Sequence, residues 1–340
     1  MSKTTRWSLM NAPDKLLSSI VEAIGHTPMV RLSRIIPKSG ASVALKLESM
    51  NPGGSTKDRI ALALVNAAER EGRLRPGGTI VEATAGNTGI ALAMVAAVRG
   101  YRAIFYVPDK MSADKIRLLG AYGAEVRVVK DVPRSDPLNY QHQARQLAEE
   151  LPNAAYMGQF EHAANPDAHF ATTGPEIWDQ CGREMVAFVA GAGTGGTISG
   201  IGRYLKSKNP DIAVVGADPV GSIFTGSYQP FQIEGMGEDY YPQTLDAAVV
   251  DRWIAVSDAD AFAMAKRLAR EEGILAGGST GAILVVALQV AEDFPAPSTV
   301  VALSPDTGRN YLSGFFGRNL SPDPSLPIER DQARSVGHDR

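Results

Sequence analysis

Cysteine is almost missing from this sequence. One residue, Cys181, occurs among 340, which excludes a disulfide framework within the chain. Histidine is scarce as well: His26, His142, His162, His169 and His338 are scattered without ligand spacing, which argues against a metal site. No apolar run approaches the length that crosses a bilayer; stretches such as 89–98 and 282–288 have the length of buried helix segments. Residues 1–17 are polar and mixed in charge, without the apolar centre of a secretory signal. Neither sign of charge dominates. Lys and Arg number 34 against 37 Asp and Glu, a net charge near −3, and no basic patch stands out, so nucleic acid is not an expected partner. These absences together fit a cytoplasmic enzyme, with no membrane partner, without naming one.

What is plentiful is glycine, 34 residues, and the chain is long enough for two domains. Short apolar runs alternate with helical patterns. Strands are predicted over 43–47, 79–82, 103–107, 125–129, 185–190, 213–217 and 299–303. Helices are predicted over 60–72, 88–99, 112–122, 141–150, 197–206, 260–272 and 281–292. This alternation predicts an α/β protein with parallel-rich sheets covered on both faces, that is, two doubly wound domains. A polar, proline-containing break over 130–140 precedes the helix at 141–150, and the main domain change is placed near Tyr156. The residues from about 319 to 340 carry prolines and charges without periodicity and read as a loose tail.

Glycine-rich segments interrupt this pattern where strands meet helices. In Asn51-Pro-Gly-Gly-Ser-Thr-Lys-Asp-Arg59, a turn puts Lys57 at the mouth of a sheet, where open α/β sheets bind ligands. A lysine there can form a Schiff base. A solvated lysine in a first helical turn is the plainer alternative, but it opposes the helix dipole. Thr84-Ala-Gly-Asn-Thr-Gly89 offers hydroxyls, an amide and backbone N–H groups at a helix start, where a carboxylate is attracted. A simple Asn or Thr cap is the other reading. Gly191-Ala-Gly-Thr-Gly-Gly-Thr197 can wrap a phosphate. It also fits the dinucleotide fingerprint G-x-G-x-x-G, with Asp218 ending the next strand at a ribose-binding distance, so a nicotinamide-dependent oxidoreductase stays open. Gly277-Gly-Ser-Thr-Gly281 matches a nucleophile elbow in form. The only later histidine is His338, which removes the triad and leaves a glycine-rich turn packed on a ligand. Ser304-Pro-Asp-Thr-Gly-Arg-Asn-Tyr311 ends a strand and can present Thr307 to a ligand, although alone it reads as an ordinary turn.

In this order, from Ile24-Gly-His-Thr-Pro-Met-Val-Arg-Leu32 to Tyr311, the segments resemble the cysteine synthase and cystathionine β-synthase family. That resemblance implies fold type II among pyridoxal 5'-phosphate enzymes, tryptophan synthase β-like. It implies residues 1–45 as an N-terminal segment on the large domain, 46–156 as the small domain with the substrate loop, and 157–318 as the large domain holding the cofactor phosphate. Lys57 matches the Schiff-base lysine and catalytic base. Asn87 matches the residue on the ring 3′-oxygen. Gly193, Thr194, Gly195, Gly196 and Thr197 match the phosphate cradle, and Thr307 falls where the family has a serine facing the ring nitrogen. Thr84, Ala85, Gly86, Asn87 and Thr88 match the loop on the substrate carboxylate, which Gln159 joins. The family loop usually reads Thr-Ser-Gly-Asn-Thr; Ala85 lacks that hydroxyl and opens the choice of donor.

The implied reaction is β-replacement on serine, O-acetylserine or O-phosphoserine by a thiol, in a homodimer. The stretch Ile233-Glu-Gly-Met-Gly-Glu-Asp-Tyr-Tyr-Pro242 leans toward the cystathionine-forming relatives, hence toward homocysteine as acceptor, with sulfide next. A specialised β-substituted alanine synthase and a catalytically silent, cofactor-binding partner subunit are the remaining alternatives.

Overall fold

The computed structural model describes residues 16–84, 86–109, 111 and 113–317. The expected tail and Ala85 therefore lie outside the described residues. In chain order the elements are β1 (Met29–Arg31), β2 (Ser42–Leu47), α1 (Lys57–Arg70), β3 (Thr79–Ala83), α2 (Asn87–Arg99), β4 (Arg102–Pro108), α3 (Ala113–Ala121), β5 (Glu125–Val129), α4 (Tyr140–Glu150) and β6 (Ala154–Tyr156). There follow α5 (Ala164–Ala168), a π-helical turn (His169–Thr173), α6 (Gly174–Cys181), β7 (Met185–Gly191), α7 (Gly196–Lys208), β8 (Ala213–Pro219), β9 (Arg252–Val256), α8 (Asp258–Glu272), α9 (Gly278–Ala291) and β10 (Thr299–Ser304). Among the described residues no helix is long and apolar enough to cross a membrane.

Two sheets result. The larger has six strands in the order β1-β2-β10-β7-β8-β9, the smaller four in the order β5-β4-β3-β6. Every pairing is parallel except β1 with β2. Parallel pairing needs crossovers, and crossovers cover both faces, so central strands read as unbroken apolar runs. β10 shows it: Val300 and Ala302 join one buried cluster with α9, while Val301 and Leu303 join the cluster on the opposite face. In the smaller half, α1 turns Ala61, Leu64, Val65 and Ala68 toward α2 and β3, a stripe at helical spacing. The expected boundary between residues 45 and 46 falls inside β2, whose partners β1 and β10 both belong to the larger sheet.

The expected strand–helix alternation is present, with two shifts that matter. α1 begins at Lys57, three residues before the predicted start, because Asp58 and Arg59 are buried rather than solvated. Likewise α9 begins at Gly278, where Gly278, Ser279 and Thr280 are weak helix formers held by burial. β1, β6, β9 and the helical run from α5 to α6 are additions to the predicted set.

Candidate active site

Parallel strands of both sheets end on a common cavity of about 390 Å³. One wall comes from the smaller sheet's loops and carries Thr84, Gly86, Asn87 and Thr88; the other carries Lys57, Gly193, Thr194, Ser279 and Asp306. Most of these residues, far apart in sequence, meet here because they follow the carboxyl ends of parallel strands; Ser279 reaches the cavity from the start of α9.

Lys57 is the first residue of α1, half-buried on the cavity floor. Burial lowers its pKa below that of an ordinary lysine, against the pull of the Asp306 and Glu238 carboxylates. A more readily deprotonated amine is the form that attacks a carbonyl carbon. The helix beneath it is anchored by ions. Arg59 binds Glu48 at 2.7 Å through Nε and Glu176 at 2.7 Å through Nη1, and Lys46 binds Glu176 at 2.7 Å. Glu48 also accepts from Thr27 at 2.7 Å, so the buried charges are paired and hydrogen-bonded. Asp58 accepts from the Gly53 N–H, and burial pushes its carboxyl up to about 7.

The cradle between β7 and α7 is built for a small anion. Gly195 has φ 77°, a left-handed conformation that admits glycine. A Cβ on Gly196 would stand 2.1 Å from Asn165 Oδ1. The N-cap residue of α7, Gly195, supplies no side-chain cap, and the Gly196 N–H reaches only the Thr194 hydroxyl, at 3.4 Å; the helix dipole favours an anion at this end. Thr194 Oγ1 accepts from Asn165 Nδ2 at 3.0 Å. The Thr197 hydroxyl meets His169 Nε2 at 3.1 Å, and His169 Nδ1 meets Thr173 Oγ1 at 2.9 Å. Burial and the Arg59 charge push His169 down to about 3, so the imidazole is neutral and serves as a strut.

On the opposite wall, Thr88 Oγ1 donates to Gln159 Oε1 at 2.6 Å and Gly86 N–H donates to Thr84 Oγ1 at 3.4 Å. Glu82 braces this loop from behind, accepting from the Ala83 N–H at 2.8 Å and the Gln159 N–H at 3.2 Å; burial raises its carboxyl to about 7. Asn87 donates to Asp306 Oδ2 at 2.8 Å, and Tyr311 donates to the same oxygen.

The structure brings together Lys57, Thr84, Gly86, Asn87, Thr88, Gln159, Gly193 and Thr194, with Gly195 and Thr197 lining the adjoining recess. Gly196 supports that recess from α7. Thr307 borders the cavity without being one of its lining residues. Its hydroxyl accepts from the Arg309 N–H at 3.3 Å, capping a short helical turn, and its neighbour Asp306 lines the cavity instead. Asp218, the expected ribose ligand of the oxidoreductase reading, is buried and accepts from Thr225 at 2.8 Å. Ser279, expected in a glycine-rich turn packed on a ligand, lines the cavity from the first turn of α9 instead. Sequence reading missed Asp306 and Glu238 on the cavity wall, and the contacts of Asn165 and His169 with the glycine segment between β7 and α7. The Asn165-Pro dipeptide and the Pro-Asp turn were visible, but nothing local links them to residues so distant.

The glycine cradle, its buried hydroxyls and the half-buried amine suit a phosphorylated aldehyde. The model of the family described as "Pyridoxal-phosphate dependent enzyme" matches residues 20–306. A cystathionine beta-synthase of Apis mellifera is 45% identical over 311 residues, 88% of this chain and 62% of that protein. The chain thus spans about three-fifths of that relative. A cysteine synthase of Staphylococcus aureus is 44% identical over 305 residues, 88% of this chain and 96% of the other. The crystal structure of O-ureido-L-serine synthase superposes with a TM-score of 0.86 at 41% identity, covering 92% of this chain and 98% of that one. With a match across most of its length and a site that fits the cofactor, the chain belongs to the family of pyridoxal-phosphate dependent enzymes.

Proposed function

We propose that this protein replaces the β-substituent of serine or of an O-activated serine (O-acetylserine or O-phosphoserine) by a thiol. Homocysteine as acceptor gives cystathionine; sulfide gives cysteine. The observation that carries this reading is the position of the Lys57 amine, between a glycine phosphate cradle on one side and the Thr84–Thr88 loop on the other.

Bound there, pyridoxal phosphate supplies an electron sink for the carbanion at the donor's Cα. Gly193, Thr194, Gly195, Gly196 and Thr197 hold the phosphate. Asn87, fixed by Asp306, orients the ring through its 3′-oxygen. Thr307, which accepts from Arg309 through a lone pair, keeps its own O–H to donate to the ring nitrogen. A neutral hydroxyl leaves that nitrogen unprotonated, which favours elimination over a long-lived carbanion. Thr84, Ala85, Gly86 and Thr88 with Gln159 bind the donor carboxylate. Lys57 takes the proton from Cα, and returns it once the thiol has added at Cβ. We further propose a homodimer, following the sequence resemblance, in the cytoplasm, following the composition.

A second reading, cysteine synthase proper, is supported by the 44% identity to the Staphylococcus aureus relative over 305 residues. One experiment separates them: serine, O-acetylserine and O-phosphoserine set against sulfide and homocysteine, with products read by mass spectrometry. The purified protein should carry a visible absorption band that borohydride removes and that Lys57→Ala lacks. Consumption of no donor, or a Lys57→Ala protein with an unaltered band, overturns the reading.

A further inference from the structure

Glu238 is a carboxylate to which the scheme above gives no task. It lies on the wall of the cavity that holds Lys57, in the segment between β8 and β9. Its backbone is pinned: the N–H donates to Ser222 Oγ at 3.1 Å and the carbonyl accepts from the Ile223 N–H at 3.1 Å. Oε1 stands beside the phosphate cradle, 3.7 Å from where a side chain on Gly193 would begin. No described residue hydrogen-bonds or ion-pairs with the carboxylate. The charges around it come from Lys57 on α1, Arg134 in the loop before α4 and the adjacent Asp239; the phenols of Tyr140 and Tyr240 face it as well. Burial, with Asp239, pushes its carboxyl up to about 8 against the pull of Arg134 and Lys57, so the group is largely a neutral acid at neutral pH.

A donor with a free hydroxyl needs such an acid. Hydroxide is a poor leaving group, whereas acetate departs as an anion without a proton. We propose that Glu238 is the acid that protonates the departing β-oxygen of serine. Lys57 removes the Cα proton, and the electron pair of that bond forms the Cα–Cβ double bond. The Cβ–O bond breaks as the Glu238 proton goes to its oxygen, releasing water. When the thiol adds at Cβ its proton goes to the Glu238 carboxylate, and Lys57 protonates Cα. Atoms and protons then balance over one turnover, and Glu238 ends as it began.

This rests on the β-replacement reading and is tested on the cofactor-loaded protein without acceptor, so that only donor consumption is read. Glu238→Gln should slow the serine reaction by about 10²-fold or more, the usual worth of general acid catalysis, while O-acetylserine is consumed within about threefold of the wild-type rate. Difference infrared spectra should show a protonated-carboxyl stretch that fades as pH rises through about 8 and is absent from the variant. Equal slowing with both donors, no slowing with serine, or a wild type that consumes O-acetylserine but not serine each overturns the proposal. A wild type that consumes neither overturns the β-replacement reading, and this proposal with it. Should the variant fail to bind cofactor, wild-type pH profiles decide: serine consumption must fall through about pH 8 while O-acetylserine consumption does not, and parallel profiles refute Glu238.

Discussion

The side-chain amide of Asn87 donates to Asp306 Oδ2 at 2.8 Å, joining the first turn of α2 to the end of β10. The residue expected to touch the cofactor ring is thereby oriented by a carboxylate of the other sheet. Asp306 also accepts from Tyr311, and its second oxygen is buried without a hydrogen-bond partner. Replacing it by alanine strands two donors at once. Asp306→Ala should therefore lose about 1–3 kcal/mol of stability and weaken cofactor binding, while Asp306→Asn, which keeps one acceptor oxygen, should lose less. Urea unfolding and cofactor titration by fluorescence measure both effects; equal values for the two variants would contradict this account of Asn87.

Gly196→Ala tests the phosphate cradle. The new methyl would stand 2.1 Å from Asn165 Oδ1, and Asn165 also bonds Thr194 and the Gln159 carbonyl. Overpacking of this kind costs about 1–3 kcal/mol. The larger effect should be on cofactor affinity, because Asn165 must move and Thr194 with it. Gly120→Ala, on α3 with nothing within 4 Å of the added carbon, is the control and should be neutral or stabilising.

Gln159 carries a graded prediction on the donor side. Its Oε1 accepts from the Thr88 hydroxyl at 2.6 Å, which fixes the amide beside the loop proposed to bind the donor carboxylate. Hydrogen bonds to a charged group are worth about 1.5–3 kcal/mol, so Gln159→Ala should raise the donor KM by roughly 10- to 100-fold. Lys57 is untouched, so the cofactor band should persist. A KM unchanged within error would remove Gln159 from the donor site.

Glu176 sets an acid limit on stability. Burial opposes its charge, but Arg59 and Lys46 overcome that and hold its carboxyl down to about 2, against an unfolded value of 4.5. A depressed pKa means that the folded state binds fewer protons than the unfolded chain in this window. The stabilisation is therefore complete above about pH 4.5 and fades as pH falls toward 2. Glu176→Gln should flatten that acid slope. At neutral pH it should cost about 3–5 kcal/mol, because Arg59 and Lys46 are left buried and short of a counter-charge. Chemical unfolding of both proteins between pH 3 and 7 checks the slope and its sign.

How much of this was legible in the sequence depended on range. Parallel strands such as 299–303 announce themselves by unbroken apolar runs, and the motifs that follow them are short and contiguous, so the segments of Lys57, Asn87 and the glycine turn, which the structure brings to one cavity, could be marked out without coordinates. The helical run from α5 to α6 was not. Pro166, Gly174 and Pro175 punctuate it like a loop, yet proline is tolerated in a first turn and each falls near the start of a segment. β1 and β6 have three residues each, too few to show alternation. Asp306 and Glu238 were hidden for another reason. Their significance lies in facing Asn87 and Lys57, and no local pattern encodes a partner two hundred residues away.

The π-helical turn at His169–Thr173 has a consequence for the whole run that contains it. Its Gly174 N–H bonds to the His169 carbonyl, so one residue more than the usual spacing is enclosed. Such an addition is a phase slip. α5 and α6 are two frames of one helical rod, and the rotation between them lets His169 meet Thr197 while Glu176 meets Arg59. Deleting a single residue from the turn would return the rod to one phase and improve its local hydrogen bonding. It would also rotate one of those two contacts out of reach. Helical regularity and long-range bracing are thus opposed at this turn, and a shortened rod could gain the first only by giving up either the tie to α7 or the anchor of α1.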